Sequence, residues 1–412
     1  MITIREYVRP ASLEEAWTLN QKRTSRVIGG MLWLKMQNAA VGTAIDLSGL
    51  GLDKIEETPE GFAVGAMVSL RALETHAGLN EYTNGAMREA LRHIVGVQFR
   101  NTATLGGSVY GRFGFSDVLT VLLALNASVE LYKGGIVPLA QFAEMPFDRD
   151  ILVRVYIPKE NAAFFYQSVR NSQTDIPVLT CAAARLENGS IPLRCRRAAR
   201  KSGRAHAAVR AGGAAGDRER AGHDRLQSPR QRGIPEASHP RARPPRRGRT
   251  GRRREVNITF TLNNKAVSAD IAPDTLLLDL VRRLGCKSVK RGCGTGNCGL
   301  CTVYLDGTPI LSCATLAARV RGRSVTTLEG LQSEAAEFGA FLADQGAEQC
   351  GFCNSGFIMN TLALLRENPD PDENEIKEYL AGNLCRCSGY EGQLRAIQSF
   401  LAWKKAKEAS EE

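Results

Sequence analysis

Apolar and polar residues alternate from Ile258 to Ile271: Ile258, Phe260 and Leu262 share one parity, Val267, Ala269 and Ile271 the next. Asn263 and Asn264 stand between the two runs, so the stretch VNITFTLNNKAVSADI predicts a hairpin with one buried face. The period then changes. Leu277, Leu280, Val281 and Leu284 fall on one helical stripe, with Gly285 as its stop. TVYLDGTPILSC reads as a second hairpin. Further on, Phe357, Ile358, Thr361, Leu362 and Leu365 mark a helix, and PDENEIKEYLAGN and GQLRAIQSFLAWKKAKE mark two more. Near the start, VIGG closes a strand at Gly29 and Gly30, and NTATLGGSVYGRFGFSDVLTVLLALNASVELY puts a glycine turn before a helix from Val118 to Leu125 and then a strand.

At 412 residues the chain is long enough for two to four domains, each with a sizeable core. No apolar run reaches membrane-spanning length, and MITIREYVRPASLEEAW lacks the apolar stretch of a secretory leader, so the reading is cytoplasmic, without membrane insertion. In a reducing compartment the eleven cysteines point to metal or redox chemistry rather than disulfides. The net charge of +11 is local: from Arg194 to Arg254 stand nineteen Arg and one Lys against two Asp and two Glu. The rest of the chain, with 34 basic and 39 acidic residues, is mildly acidic. That segment has no aromatic residue and few large aliphatics, so it is expected to be a disordered, low-complexity linker over 191–255. Nucleic-acid binding is not expected, because stacking aromatics and a folded recognition module are missing.

Four cysteines concentrate in RGCGTGNCGLCTVYLDGTPILSC: Cys293 and Cys298 enclose four residues, Cys298 and Cys301 two, and Cys313 follows after eleven more. This is plant-type [2Fe–2S] spacing. Gly292, Gly294, Gly296 and Gly299 let the backbone curl and aim amides at electron-rich sulfur. A four-cysteine zinc site is the alternative, although its ligands usually come as two separated short pairs. Cys286 lies outside the pattern and reads as a packed thiol. In the second quartet, Cys350 and Cys353 are separated by two residues and Cys385 and Cys387 by one. Spacing alone leaves zinc and iron both open there. In the N-terminal part the stretch Leu105, Gly106 and Gly107 reads either as a plain glycine turn or as an amide cradle for a pyrophosphate, with Ser116 or Asp117 capping the following helix.

GCGTGNCGLCTVYLDG, EQCGFCNSGFIM and NLCRCSGY together resemble the two-cluster iron–sulfur subunit of the molybdenum hydroxylases, the xanthine dehydrogenase and carbon monoxide dehydrogenase family, over residues 256 to about 403. The resemblance implies a β-grasp ferredoxin domain at 256–335 and a four-helix-bundle domain at 336–412, each with one [2Fe–2S] cluster. It also implies that Gln349 approaches the molybdopterin of a partner. Residues 1 to about 190 resemble the FAD-binding subunit of the same family, with a fold of the PCMH type. Carried over by position, the flavin contacts are Arg26, Val27, Ile28, Gly29, Gly30, Met31, Leu32 and Trp33 in the first loop. Thr104, Leu105, Gly106, Gly107 and Ser108 form the second, with Ile94, Asp117 and Leu152 beyond them. Ser108 stands where the family has Asn, and Tyr166 where a Lys often meets the flavin.

The expected fold is therefore α+β and multidomain: a truncated α/β flavin domain, the arginine-rich linker and two [2Fe–2S] domains. The resemblance stops near Pro192 and resumes at Val256, and the Arg, Ala, Gly and Pro between are what GC-rich coding sequence yields in a shifted frame. A frameshift fusion of two subunits is the reading this supports. By resemblance, electrons pass from a separate molybdopterin-binding large subunit through two clusters to FAD, and on to NAD or another acceptor. A stand-alone iron–sulfur carrier with an inactive flavin domain, and a basic protein with zinc sites, are the competing readings.

Overall fold

The computed structural model describes residues 2–160, 162–186, 193–197 and 254–411. The chain begins with β1 (Thr3–Val8), α1 (Leu13–Asn20), β2 (Arg26–Ile28) and β3 (Ala40–Asp46), which build a parallel sheet in the order β1-β3-β2. Parallel neighbours need a crossover, and α1, capped by the Ser12 hydroxyl on the Glu15 amide, begins it. Next come β4 (Ile55–Thr58), β5 (Gly61–Gly65) and six short helices: α2 (Leu70–Thr75), α3 (Ala77–Tyr82), α4 (Ala86–Leu91), α5 (Val97–Thr102), α6 (Leu105–Tyr110) and α7 (Asp117–Ala124). β6 (Ser128–Leu131), β7 (Gly135–Pro138), α8 (Leu139–Glu144) and β8 (Leu152–Pro158) complete an antiparallel sheet of order β4-β5-β8-β6-β7. The predicted helix from Val118 is α7, and Ser116 rather than Asp117 caps it, accepting from the Leu119 amide.

A third sheet joins β9 (Ala162–Val169), β10 (Leu179–Leu186) and β11 (Leu193–Arg197) in the order β11-β10-β9. β11 occupies the head of the stretch that composition assigns to the linker. Its backbone pairs with β10, setting Cys195 opposite Cys181, and a ladder needs amides and carbonyls rather than apolar side chains. The rest of the expected disordered segment, 198–253, lies outside the described residues.

In the second half, β12 (Val256–Leu262) and β13 (Lys265–Ile271) form the predicted hairpin, and both turn asparagines take positive φ, 49° and 65°, as a two-residue turn of this hand requires. α9 (Leu277–Arg283) follows, ended near Gly285 at φ 103°. β14 (Thr302–Leu305), β15 (Thr308–Leu311) and β16 (Ser324–Thr326) complete a sheet of order β13-β12-β16-β14-β15, with β12 and β16 parallel. Four helices close the chain: α10 (Gln332–Asp344), α11 (Asn354–Glu367), α12 (Glu373–Leu380) and α13 (Glu391–Glu411). They share a core that includes Phe338, Leu362, Ile376, Ile397 and Phe400. Asp372 and Glu375 form a capping box at the start of α12.

The two halves are packed together. α5 lies on β15, where the Asn101 side-chain amide donates to the Pro309 carbonyl at 2.9 Å and the Leu311 amide donates to Thr102 Oγ1 at 3.1 Å. Gln98 Nε2 donates to the Gly382 carbonyl at 2.9 Å. Gly96 approaches so closely that a Cβ on it would stand 2.5 Å from Gly382 Cα. Among the described residues no helix is long and apolar enough to cross a membrane.

Candidate cofactor sites

A cavity of about 670 Å³ opens between the end of β2 and the turns around α6 and α7. Its wall takes in the first expected loop, Arg26 through Trp33, and also Ile94, Thr104, Gly106, Gly107, Ser108, Asp117 and Leu152. The two loops meet through glycine. A Cβ on Gly30 would lie 2.1 Å from the Thr102 carbonyl oxygen, and one on Gly29 would lie 2.5 Å from Thr104 Oγ1. Trp33, Phe113 and Phe115 stand 5.2 to 5.5 Å apart between ring centroids, with the two phenylalanines stacked and Trp33 tilted against them, giving the cavity an aromatic wall.

The expected amide cradle in the second loop is not there. Residues 103–106 bond to the segment before α2: the Leu105 amide donates to Val68 O at 2.9 Å and the Gly106 amide to Ala66 O at 2.8 Å. The Gly107 amide donates to Thr104 Oγ1 at 3.2 Å. These donors already have partners, and Leu105 is buried in the core away from the cavity wall. The first loop leads into a 3-10 turn at Leu34–Met36, whose Lys35 amide donates to Met31 O at 2.9 Å. Met31 there takes φ 63°, a strained value for a residue with a side chain.

Asp117 is buried and accepts from the Tyr166 hydroxyl and from Arg170 Nη2. Burial keeps its carboxyl above the usual carboxylate range even though Arg170 and Tyr166 pull it down. Tyr166, at the position where a Lys was the expected flavin contact, therefore holds Asp117 and does not line the cavity.

The first cysteine quartet lies on a loop with Gly294, Gly296 and Gly299 at φ 67°, 95° and 74°. Cys293 Sγ accepts from the Gly296 and Asn297 amides, each at 3.3 Å. The Cys298 thiol donates to Cys293 and draws it down to about 3. Cys313 is drawn to about 6, first by the Cys301 thiol and, against burial, by Lys35. Lys35 was not among the expected site residues. It is buried, and its Nζ lies 3.3 Å from Cys313 Sγ. Cys286 sits apart, a buried thiol facing the Asn263 side chain, as expected.

The second quartet is more open, with Cys350 and Cys387 exposed and their sulfurs 3.5 Å apart. Cys353 precedes α11, and Gln393 Nε2 lies 3.8 Å from its sulfur. Burial pushes Cys385 up, but the Ser388 hydroxyl and amide and the Cys387 amide, at 3.2 to 3.4 Å, bring it down to about 7. Gln349 is exposed beside this group and donates to the Cys387 carbonyl at 3.2 Å.

In both quartets the thiols associate in twos: Cys293 with Cys298, Cys301 with Cys313, Cys350 with Cys387 and Cys353 with Cys385. Among the described residues no three His, Cys, Asp or Glu side chains are grouped to hold a single metal ion. Two thiolates to each of two irons is the donor set a [2Fe–2S] cluster needs, and the amides aimed at Cys293 and Cys385 suit sulfur carrying negative charge. The Leu384 amide donates to the Cys298 carbonyl at 3.0 Å, joining the two cysteine loops.

A flavin-sized cavity beside two four-thiol groups defines an oxidoreductase that carries FAD and two [2Fe–2S] clusters. Three families match in series: the FAD binding domain in molybdopterin dehydrogenase over residues 3–160, the 2Fe-2S iron-sulfur cluster binding domain over 260–323 and the [2Fe-2S] binding domain over 327–398. The xanthine dehydrogenase iron-sulfur-binding subunit of Escherichia coli O157:H7 is 45% identical over 157 residues, 37% of this chain and 96% of its own length. The nicotinate dehydrogenase small FeS subunit of Eubacterium barkeri is 41% identical over 139 residues, 33% of this chain and 88% of its own. The nicotine 6-hydroxylase small subunit of Paenarthrobacter nicotinovorans is 39% identical over 144 residues, 35% of this chain and 87% of its own. The chain belongs to the molybdenum hydroxylase family, as an oxidoreductase subunit of the xanthine dehydrogenase type that joins the FAD-binding and two-cluster parts in one sequence.

Proposed function

We propose that this chain is the electron-transfer component of a xanthine dehydrogenase-like molybdenum hydroxylase of the cytoplasm, passing electrons from a separate molybdopterin-binding large subunit through two [2Fe–2S] clusters to FAD, and on to NAD or another acceptor. The clusters and FAD supply the redox chemistry; the protein holds them, orders them and controls access to water. The observation that supports the reading is spatial order. The open quartet, with Gln349 at its rim, is joined through Leu384 to the loop of the more buried quartet, and that quartet's Cys313 meets the turn after the first flavin loop at Lys35. The exposed end would be the docking side for the molybdopterin subunit, with Gln349 nearest to it. Cys353→Ser tests the order, because a serine oxygen is a poorer iron ligand than thiolate. In the reassembled complex, substrate-driven flavin reduction should stop while the other cluster is retained. Flavin reduced at the wild-type rate would remove this quartet from the path.

The domain division that goes with this reading is a PCMH-type flavin domain at 1–190, a linker at 191–255, a β-grasp domain at 256–335 and a four-helix bundle at 336–412. The linker reads as out-of-frame sequence between two subunit genes. Its DNA should then encode few arginines and regular apolar periodicity in one other frame, continuous with CAAARLENGS, and should offer Val256 as a GTG start. Two stop-filled alternative frames would remove the frameshift and leave a basic tether.

A further inference from the structure

Lys35 follows the first flavin loop by two residues, yet it is not part of the cavity wall. Its side chain turns to the other half of the chain, where Nζ lies 3.3 Å from Cys313 Sγ and 3.4 Å from the Cys313 carbonyl oxygen. Lys35 is only 7% exposed, and among the described residues no carboxylate pairs with it. A buried ammonium without a counter-charge is costly, and a neutral thiol is a weak partner for it. A thiolate bound to iron supplies the missing charge.

We infer that Lys35 is the positioning residue by which the flavin-binding loop sets the reduction potential of the cluster held by Cys293, Cys298, Cys301 and Cys313. This rests on the relay reading above. One-electron reduction adds one negative charge to the cluster. A cation donating to a ligand sulfur stabilises the reduced state more than the oxidised one, so Lys35 raises the midpoint. The same residue is tied to the flavin side. Its amide donates to Met31 O at 2.9 Å, Met31 holds the strained φ of that loop, and Leu32 and Trp33 between them line the cavity. A single short turn thus carries both the flavin wall and the ammonium on the cluster ligand.

The test is an anaerobic redox titration of the full, cluster-loaded chain, followed by electron paramagnetic resonance, for wild type, Lys35→Met, Lys35→Gln and Lys35→Arg, with iron and acid-labile sulfide counted in each. In the two neutral variants the midpoint of one cluster signal should fall while the other stays at its wild-type value. Lys35→Arg, which keeps a cationic donor, should stay closer to wild type than either. Lys35→Gln serves where Lys35→Met does not load iron. Unchanged midpoints for both signals in a fully loaded neutral variant would overturn the role of Lys35 and leave the relay intact. A wild-type chain that forms no [2Fe–2S] signal would remove the relay, and this inference with it.

Discussion

The Leu384 amide donates to the Cys298 carbonyl at 3.0 Å, and the residue after Leu384 is Cys385, so the backbones of the two cysteine quartets are joined by a hydrogen bond. Glycines let the backbones approach closely at this seam. Gly299 adopts φ 74°, and a Cβ on it would stand 2.6 Å from the Gly382 carbonyl oxygen; one on Gly356 would stand 2.4 Å from the Gly299 carbonyl oxygen.

Gly299→Ala should therefore part the two loops. The left-handed backbone alone costs about 1–2 kcal/mol with a side chain present, before the clash with Gly382 is counted. The unfolding midpoint of the loaded protein should drop, and the magnetic interaction between the two clusters should weaken. An alanine variant with wild-type stability and undiminished coupling would show that the close approach does not matter.

The halves are also held by a buried ion pair. Arg319 places Nε 2.8 Å from one oxygen of Asp46 and Nη2 2.8 Å from the other, and the Tyr7 hydroxyl donates to the same carboxylate at 2.5 Å. Arg319→Met would leave the fully buried Asp46 unpaired, a loss of about 3–5 kcal/mol, whereas replacing both partners with apolar residues should recover most of it. Limited proteolysis and unfolding of the single and double variants measure this.

The same pair fixes a pH dependence. Burial by itself would raise the Asp46 carboxyl, but Arg319, Tyr7 and the Ser48 amide outweigh it and hold the group well below its ordinary 3.8. A depressed carboxyl contributes stability that is fully present above its unfolded value and is lost as pH falls through the folded one. Wild type should thus keep this contribution across the neutral range and lose it only in strongly acid solution. In Arg319→Met the buried carboxyl is left without the cation that lowers it, so the gap between the two narrows from the higher pH at which the variant's Asp46 takes up a proton. A contribution already lost from wild type near neutrality would point to another group.

Gly30→Ala should empty the flavin site while sparing the clusters. Its Cβ would collide with backbone at Thr102 and Ala103, which cannot give way as a flexible side chain does. Flavin per chain, read by absorbance against iron content, should fall by on the order of tenfold or more, the loss expected when about 1.4 kcal/mol or more of binding is removed. Full flavin occupancy in the variant would place the cofactor elsewhere.

What could be read from the sequence follows from how local each cause is. The hairpin at Val256–Ile271 was legible because alternation and two turn asparagines are local properties, and so were the cysteine spacings. The cradle reading of Leu105–Gly107 failed for a cause that is not local: the Leu105 and Gly106 amides are taken by Val68 and Ala66, some forty residues away along the chain. Lys35 gave no warning at all: a lysine after a loop looks solvated until the other half of the chain closes over it. β11 was hidden for a related reason, because arginine-rich composition says nothing about whether backbone finds an open strand edge at β10.

The central claim is that one chain holds two different [2Fe–2S] clusters. The motifs differ in ligand spacing and in exposure, with Cys301 and Cys313 buried and Cys350 and Cys387 at the surface, and reduction potential follows solvent access and hydrogen bonding to sulfur. Low-temperature electron paramagnetic resonance of the dithionite-reduced, cluster-loaded protein should give two rhombic signals of equal weight, with about four irons per chain. A single signal with about two irons per chain, or zinc without acid-labile sulfide, would contradict it.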